Sequence, residues 1–247
     1  MAISVDITQN TRLAPNIAVA RYAFPSIKAG AAPREAPHPT DALHAMQQVG
    51  VISRFPRNKT IFGEGDVAVH SYRIISGAVR LCKQLPNGRR QIVDFFFPGD
   101  FFGYEGRGEY AFAAEAITEV IAASYPRARI ERLCDDVPEV GDQLLAMLTR
   151  DLSATRNHVI MLCRPSAKER VAAFLISLAE RAKVGERKCI PLPMGRQDIA
   201  DYLGLAVETV CRALNELKRT KLIAVENIRH FIITNIGGLL AVAEGEG

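Results

Sequence analysis

Between residues 51 and about 124 the apolar positions come in short runs, some alternating with polar residues, and glycine turns divide them. Gly63-Glu64-Gly65-Asp66 precedes a strand around residues 71–75, and Gly77 precedes Ala78-Val79-Arg80-Leu81. Asn87-Gly88 predicts a tight hairpin with a type I′ turn, since that turn needs positive φ at both central residues. Residues 91–97, Pro98-Gly99-Asp100 and Phe101-Phe102-Gly103 follow, and a strand near 119–124 closes the set. The glycines at 65, 77, 88 and 99 recur about every 11 residues, a spacing that suits a compact antiparallel barrel or jelly roll.

The period then turns helical. From about 139 to 163, Leu145, Leu148, Leu152, Thr155, Val159 and Leu162 are spaced 3, 4, 3, 4, 3, a heptad seam with one polar interruption. Asp135, Asp136 and Glu139 suit the positive end of a helix dipole, and Pro165 ends the helix. The seam predicts a parallel two-helix dimer interface, although a helix packed on its own barrel would carry the same stripe. Ser166-Ala-Lys-Glu169 is a capping box opening a further helix, whose apolar face is Val171, Phe174, Leu175 and Leu178.

Residues 196–218 read RQDIADYLGLAVETVCRALNELK. The run divides into an eight-residue helix (196–203), a turn at Gly204-Leu205-Ala206 and a second helix (207–218). Glycine permits the left-handed conformation the sharp turn needs. Ile199, Ala200, Leu203, Leu205, Val210 and Leu214 fall where the two helices must touch. This is a helix-turn-helix pattern. After Leu222-Ile223, residues 224–234 predict a β-hairpin wing with Glu226-Asn227 as its turn, its Arg229 or His230 lying along the DNA backbone or the adjacent groove.

The fold class is therefore α+β. Four parts follow: a flexible arm at 1–40, a β-roll or jelly-roll sensor-type domain at 41–135, a dimerisation helix at 136–164 and a winged helix-turn-helix at 165–247. Five prolines break any long helix in the arm, and residues 41–49 suit a short helix.

Charge changes the picture only locally. The formal net charge is +4, but residues 164–221 hold twelve Lys/Arg against seven Asp/Glu, a surplus of five. A locally basic segment suits a polyanion. No apolar run reaches the roughly 18–20 residues that span a bilayer, and no basic patch and hydrophobic stretch marks a secretory signal. No membrane partner and a cytoplasmic location are expected. Cys82, Cys134, Cys163, Cys189 and Cys211 lack metal-ligand or disulfide spacing and read mostly as small packing residues. His38, His44, His70, His158 and His230 are isolated, without the paired ligands of a metal-dependent jelly-roll enzyme. The chain is expected to hold no catalytic residues, no metal and no cofactor, and not to be an enzyme.

Val207, Glu208, Cys211 and Arg212 share the outward face at the start of the second helix. Arg212 can donate two bonds to the O6/N7 edge of guanine, Glu208 can accept from the N4 amine of cytosine, and Val207 can touch a thymine methyl. A carboxylate facing DNA is repelled by phosphates unless it reads a base. The plainer alternative is a Glu208–Arg212 ion pair on a solvated helix. Arg196, Thr209, Lys218, Arg219 and Lys221 are expected on the DNA backbone. Cys211 is also a candidate redox residue, since a sulfinate or sulfonate there would set negative charge against DNA.

Residues 51–242 resemble the CRP/FNR superfamily of bacterial transcription regulators. The resemblance rests on Gly65-Asp66, Ser76-Gly77-Ala78-Val79-Arg80-Leu81, Asn87-Gly88-Arg89 and Pro98-Gly99-Asp100-Phe101-Phe102-Gly103. It rests also on the long helix, on Ala167-Lys168-Glu169-Arg170-Val171-Ala172-Ala173-Phe174-Leu175, and on the helix-turn-helix run. Val207, Glu208 and Arg212 are similar to the FNR/FixK branch rather than the cyclic-AMP branch, which has arginine at the Val207 position. That branch implies a homodimer on TTGA-type inverted repeats, with RNA polymerase as partner and activation as the outcome. Cys211 departs from the serine usual there.

Cyclic-nucleotide binders of the superfamily carry Gly-Glu and Arg-Ser around the phosphate. Here Tyr104 follows Gly103 and no Arg-Ser follows, although Arg107 lies nearby, so such binding is not expected. The iron–sulfur branch uses N-terminal cysteines, and none precedes Cys82. Haem would have to use His44, His70 or His158, isolated residues better explained by packing. The FixK-like branch, active without a bound effector, is the remaining match. The alternatives are a regulator of the same fold responsive to haem or another small molecule, and a sensor subunit that docks on proteins.

Overall fold

The computed structural model describes residues 49–105, 108–182, 189–227 and 229–246. The arm at 1–40, the short helix expected at 41–49 except its last residue, His38, His44 and Arg107 lie outside them.

Residues 51–126 form two antiparallel sheets. One has the order β1 (Val51–Phe55), β8 (Val120–Pro126), β3 (His70–Ser76), β6 (Phe101–Phe102). The other has β2 (Thr60–Phe62), β7 (Ala113–Ala116), β4 (Val79–Gln84), β5 (Arg90–Phe96). Crossing between sheets along the chain gives the expected β-roll. Gly77 lets the chain enter β4 at φ 92°, where a Cβ would lie 2.2 Å from the Glu119 carbonyl oxygen. The interior is filled by rings: Phe62 and Tyr110 stack with centroids 3.7 Å apart, and Phe102 stacks on Tyr72 at 5.3 Å and Phe96 at 5.4 Å.

The β4–β5 turn differs from expectation. Leu85 N–H donates to Arg89 O at 2.8 Å, Gly88 N–H donates to Leu85 O at 2.9 Å, and only Gly88 has positive φ (78°). This is a three-residue loop, a turn through Pro86-Asn87 ending on a left-handed glycine. The cause is Pro86. A two-residue type I′ loop would need its N–H to pair with Arg89, and proline has none.

Helix α1 (Arg127–Asp136) was not expected; it takes up Asp135 and Asp136 at its C-terminal end. The long helix α2 (Pro138–Leu162) begins with proline at its first turn, where a missing N–H costs nothing, and keeps only Glu139 of the acidic start. Helix α3 (Ala167–Arg181) opens as predicted: Ser166 Oγ accepts from Glu169 N–H at 3.1 Å. Its Val171, Phe174, Leu175 and Leu178 are buried. Helices α4 (Arg196–Leu203) and α5 (Val207–Arg219) follow, and α6 (Ile236–Glu244) packs back on α3.

The wing is a three-stranded sheet, β10 (Ile223–Asn227), β11 (His230–Ile233), β9 (Cys189–Pro191). Glu226 and Asn227 lie in β10, so the turn falls about two residues later than predicted. There Asn227 Oδ1 accepts from Arg229 N–H at 2.8 Å. Among the described residues, no helix is long and apolar enough to cross a membrane and no side-chain cluster could hold a metal ion.

Candidate nucleic-acid interface

Apolar residues fix the angle between α4 and α5. Ile199, Ala200, Leu203 and Val210 are fully buried, Leu214 nearly so, and Leu205 half-buried. Gly204 turns the chain at φ 63°, with nothing within 4 Å of where a Cβ would stand, so backbone conformation alone demands glycine there. Asp198 reaches back to Gly195 N–H at 3.2 Å, closing the first turn of α4.

Helix α5 buries Val210, Ala213, Leu214 and Leu217, which leaves its other face outward. Glu208, Arg212, Lys218 and Arg219 are exposed; Thr209 and Cys211 are half-buried. Val207 is also half-buried and packs against the core, so only part of it faces outward. Arg212 Nη2 donates to Thr209 Oγ1 at 3.3 Å. Among the described residues no ion pair joins Glu208 to Arg212, so both charges stay available. Lys218 and Arg219 occupy the last turn, where cations suit the helix dipole. Lys221 continues the basic end at φ 57°, a left-handed position few lysines take.

Arg196, on the first turn of α4, holds Nη1 buried without a hydrogen-bond partner among the described residues. Burial pulls the pKa of its guanidinium down, and the Cys211 side chain acts in the opposite direction. A buried N–H left without a partner is costly. In the wing, Arg229 is exposed and His230 is half-buried, its Nδ1 3.1 Å from Asn227 Oδ1.

The sequence did not reveal how closely this unit sits on the barrel. Arg80 on β4 and Arg90 on β5 both reach the carboxylate of Asp198, at 3.0 and 2.8 Å. Arg90 Nε also donates to Asp201 at 2.9 Å, and Arg80 pairs with Glu115 at 2.7 Å. Gln91 Nε2 donates to the Asp201 carbonyl at 2.7 Å. Around these charges one apolar core runs from Ala78, Cys82, Ile92 and Phe95 of the barrel into α3, α4 and α5. A signal existed: along 78–96 apolar residues fall on both faces, with Val79, Leu81 and Phe96 inward and Ala78, Cys82, Ile92 and Phe95 outward beside Arg80 and Arg90. A strand apolar on both sides is covered on both sides.

Helix α2 ties the same parts together. Tyr104, at the position where cyclic-nucleotide binders carry glutamate, donates its hydroxyl to Asp151 of α2. His158 is buried, stacked on Tyr202 at 3.8 Å with Nε2 3.0 Å from the Tyr202 carbonyl; burial pulls its pKa down. It is a packing residue. His70, the other described haem candidate, lies at the start of β3 beside Tyr72. Arg181 of α3 reaches Asp100 at 2.7 Å and Asp94 at 3.4 Å, and burial pushes the Asp94 carboxyl up to about 6. The predicted seam lies mostly on the other side of α2: Leu145, Leu148, Leu152, Thr155 and Val159 are exposed and Leu162 is half-buried, with Leu148 also bordering a cleft toward the barrel.

Comparison with known proteins gives two family models, a Crp-like helix-turn-helix domain over residues 169–242 and a cyclic nucleotide-binding domain over residues 52–137. The chain is 41% identical over 185 residues to the nitrogen fixation regulation protein FixK of Bradyrhizobium diazoefficiens, covering 74% of this chain and 78% of that one. It is 41% identical over 174 residues to the transcriptional activatory protein AadR of Rhodopseudomonas palustris, covering 70% and 73%. Among solved structures, FixK2 from Bradyrhizobium japonicum matches with a TM-score of 0.73 at 35% identity, covering 78% of this chain and 97% of that one.

Proposed function

The chain belongs to the CRP/FNR family of transcription regulators, and from that premise we propose that it acts as a homodimer on inverted-repeat DNA of the TTGA type. It is a helix-turn-helix regulator of transcription, akin to activators, and not an enzyme. The observation that carries the finer reading is the outward set Glu208, Arg212 and the free part of Val207 on a helix whose inner face is fully packed. Arg212 and Glu208 divide one G·C pair between them, and Val207 meets the neighbouring thymine methyl. Cys211 faces the next base. Thr209, Lys218, Arg219, Lys221 and the accessible part of Arg196 hold phosphates.

Two subunits join through Leu145, Leu148, Leu152, Thr155, Val159 and Leu162. The pair sets two recognition helices about one helical turn of DNA apart, and RNA polymerase meets an exposed protein surface. The protein works in the cytoplasm, where its DNA lies. The packed barrel interior supports a regulator that needs no cyclic nucleotide. The test is selection of a preferred site from random duplexes. An inverted repeat of TTGA-type half-sites is expected, and Arg212→Ala should cost about 1–3 kcal/mol at one base pair and relax the preference there. Monomeric protein that ignores such repeats at low salt overturns the reading.

Two modulations have support of their own. Cys211 sits on the reading helix where peroxide oxidation to the sulfinate would add negative charge. Loss of DNA affinity on peroxide treatment should vanish in Cys211→Ser; equal loss in that variant removes the idea. A cleft of about 900 Å³ between barrel and α2, lined by Phe101, Tyr104, Ile130, Leu144 and Leu148 among others, favours a small apolar effector as a second reading. A panel of apolar ligands that moves neither the melting temperature nor the DNA affinity counts against it.

A further inference from the structure

We propose that Arg89, at the tip of the barrel's β4–β5 hairpin, is a DNA-phosphate contact that makes the barrel part of the protein's footprint on DNA. The inference rests on the reading that α5 enters the major groove.

The hairpin is fastened to the helix-turn-helix by the residues that follow Arg89. Arg90 bonds Asp198 and Asp201, and Gln91 bonds the Asp201 carbonyl at 2.7 Å. The next cation back is therefore held beside α4 and α5 rather than left on a free loop. Arg89, Gln197, Asp201, Val207 and Glu208 line one open cleft of about 330 Å³. That cleft borders the end of α5 that carries the base-reading side chains.

The charges in the cleft are unequally committed. Asp201 is taken up by Arg90 at 2.7 Å and by Gln197 Nε2 at 2.7 Å. Arg80 and Arg90 are spent on carboxylates. Arg89 is exposed and makes no ion pair among the described residues. The remaining charge, Glu208, would repel the phosphates that flank the base it reads. A guanidinium at this place offsets that repulsion and offers two parallel donors to a phosphate. Because phosphates carry no sequence, Arg89 adds affinity without preference. Because the hairpin belongs to the barrel, any shift of the barrel against α4 would change the affinity of the whole molecule.

The experiment measures binding of the full-length chain to an inverted-repeat duplex and to one with scrambled half-sites, across a salt series. Wild type, Arg89→Ala, Arg89→Lys and Arg212→Ala are compared. Each phosphate contact contributes about 0.9 to the slope of log affinity against log salt, so Arg89→Ala should lower it by about 2 per dimer. Affinity should fall by a similar factor on both duplexes, and Arg89→Lys should keep most of the slope. Wild-type slope and affinity in Arg89→Ala overturn the inference. So does a loss confined to the specific duplex, which marks base reading, or a loss with unchanged slope, which marks packing. If Arg212→Ala loses discrimination while Arg89→Ala behaves as wild type, this inference alone fails. If wild type shows no preference for the repeat, the DNA reading itself fails.

Discussion

Helices α2 and α5 are both amphipathic, yet their apolar faces are covered differently. In α5 the stripe is closed within the chain: Val210 and Leu217 are fully buried and Leu214 is 5% exposed. In α2 the seam stands open, with Leu145 64%, Leu152 51% and Val159 57% exposed. A helix whose apolar side is already packed has only polar groups to offer outside, which suits a charged, hydrated groove. A helix with an open row of leucines at heptad spacing gains by covering it, at about 25 cal/mol per Å² of apolar surface removed from water. A second copy of the same helix has the matching spacing. On the proposed reading, the helix that is finished reads DNA and the one that is unfinished joins a second copy.

The contrast is broken most directly by exchanging the kind of damage done to each helix. Leu152→Glu places two like charges opposite each other across a symmetric seam, a cost of several kcal/mol. The dimer should dissociate in sedimentation and binding to the inverted repeat should be lost. Melting of the monomer should change little, since Leu152 packs on nothing essential in its own chain. Leu214→Ala should do the reverse: the core loses about 2–5 kcal/mol in denaturant unfolding, and the sedimentation of the remaining folded protein stays that of wild type. A Leu152→Glu chain that remains dimeric, or a Leu214→Ala chain that is fully stable, removes the distinction.

The two helices were also unequally legible. The helix-turn-helix can be read from residues 196–218 because local rules agree there: small Ala200 at the close approach, glycine at the left-handed turn, apolar spacing on both sides. The capping of α3 and most of the barrel glycines were legible for the same reason. Helix α2 carries two stripes, and only the outer one stood out. The inner one, Val140, Leu144, Met147, Asp151, His158 and Met161, faces the rest of the chain. Asp151 and His158 interrupt it with polar groups whose partners, Tyr104 and the Tyr202 carbonyl, are distant in sequence. Periodicity cannot see such pairs. The Arg80 and Arg90 contacts to Asp198 were hidden likewise, since they join residues more than a hundred positions apart. The difference at the β4–β5 turn had a local cause: Pro86 lacks the N–H that a two-residue hairpin loop requires.

The smallest expected effect sharpens the comparison from the other end of α5. Lys218 is exposed in the last turn, where its charge favours the helix dipole by a few tenths of a kcal/mol and would also meet a phosphate. Lys218→Ala should therefore reduce stability barely and affinity modestly, by less than about 1 kcal/mol at moderate salt. The informative quantity is its pattern. Loss should be equal on specific and scrambled duplexes, and the salt slope should fall by about 0.9 for each subunit that loses a contact. Arg212→Ala should give the opposite pattern, a loss that depends on sequence. If both variants lose affinity in the same sequence-dependent way, the face of α5 is not divided into a reading end and a holding end. The packed inner side would then constrain the helix without setting which of its outer residues meet bases.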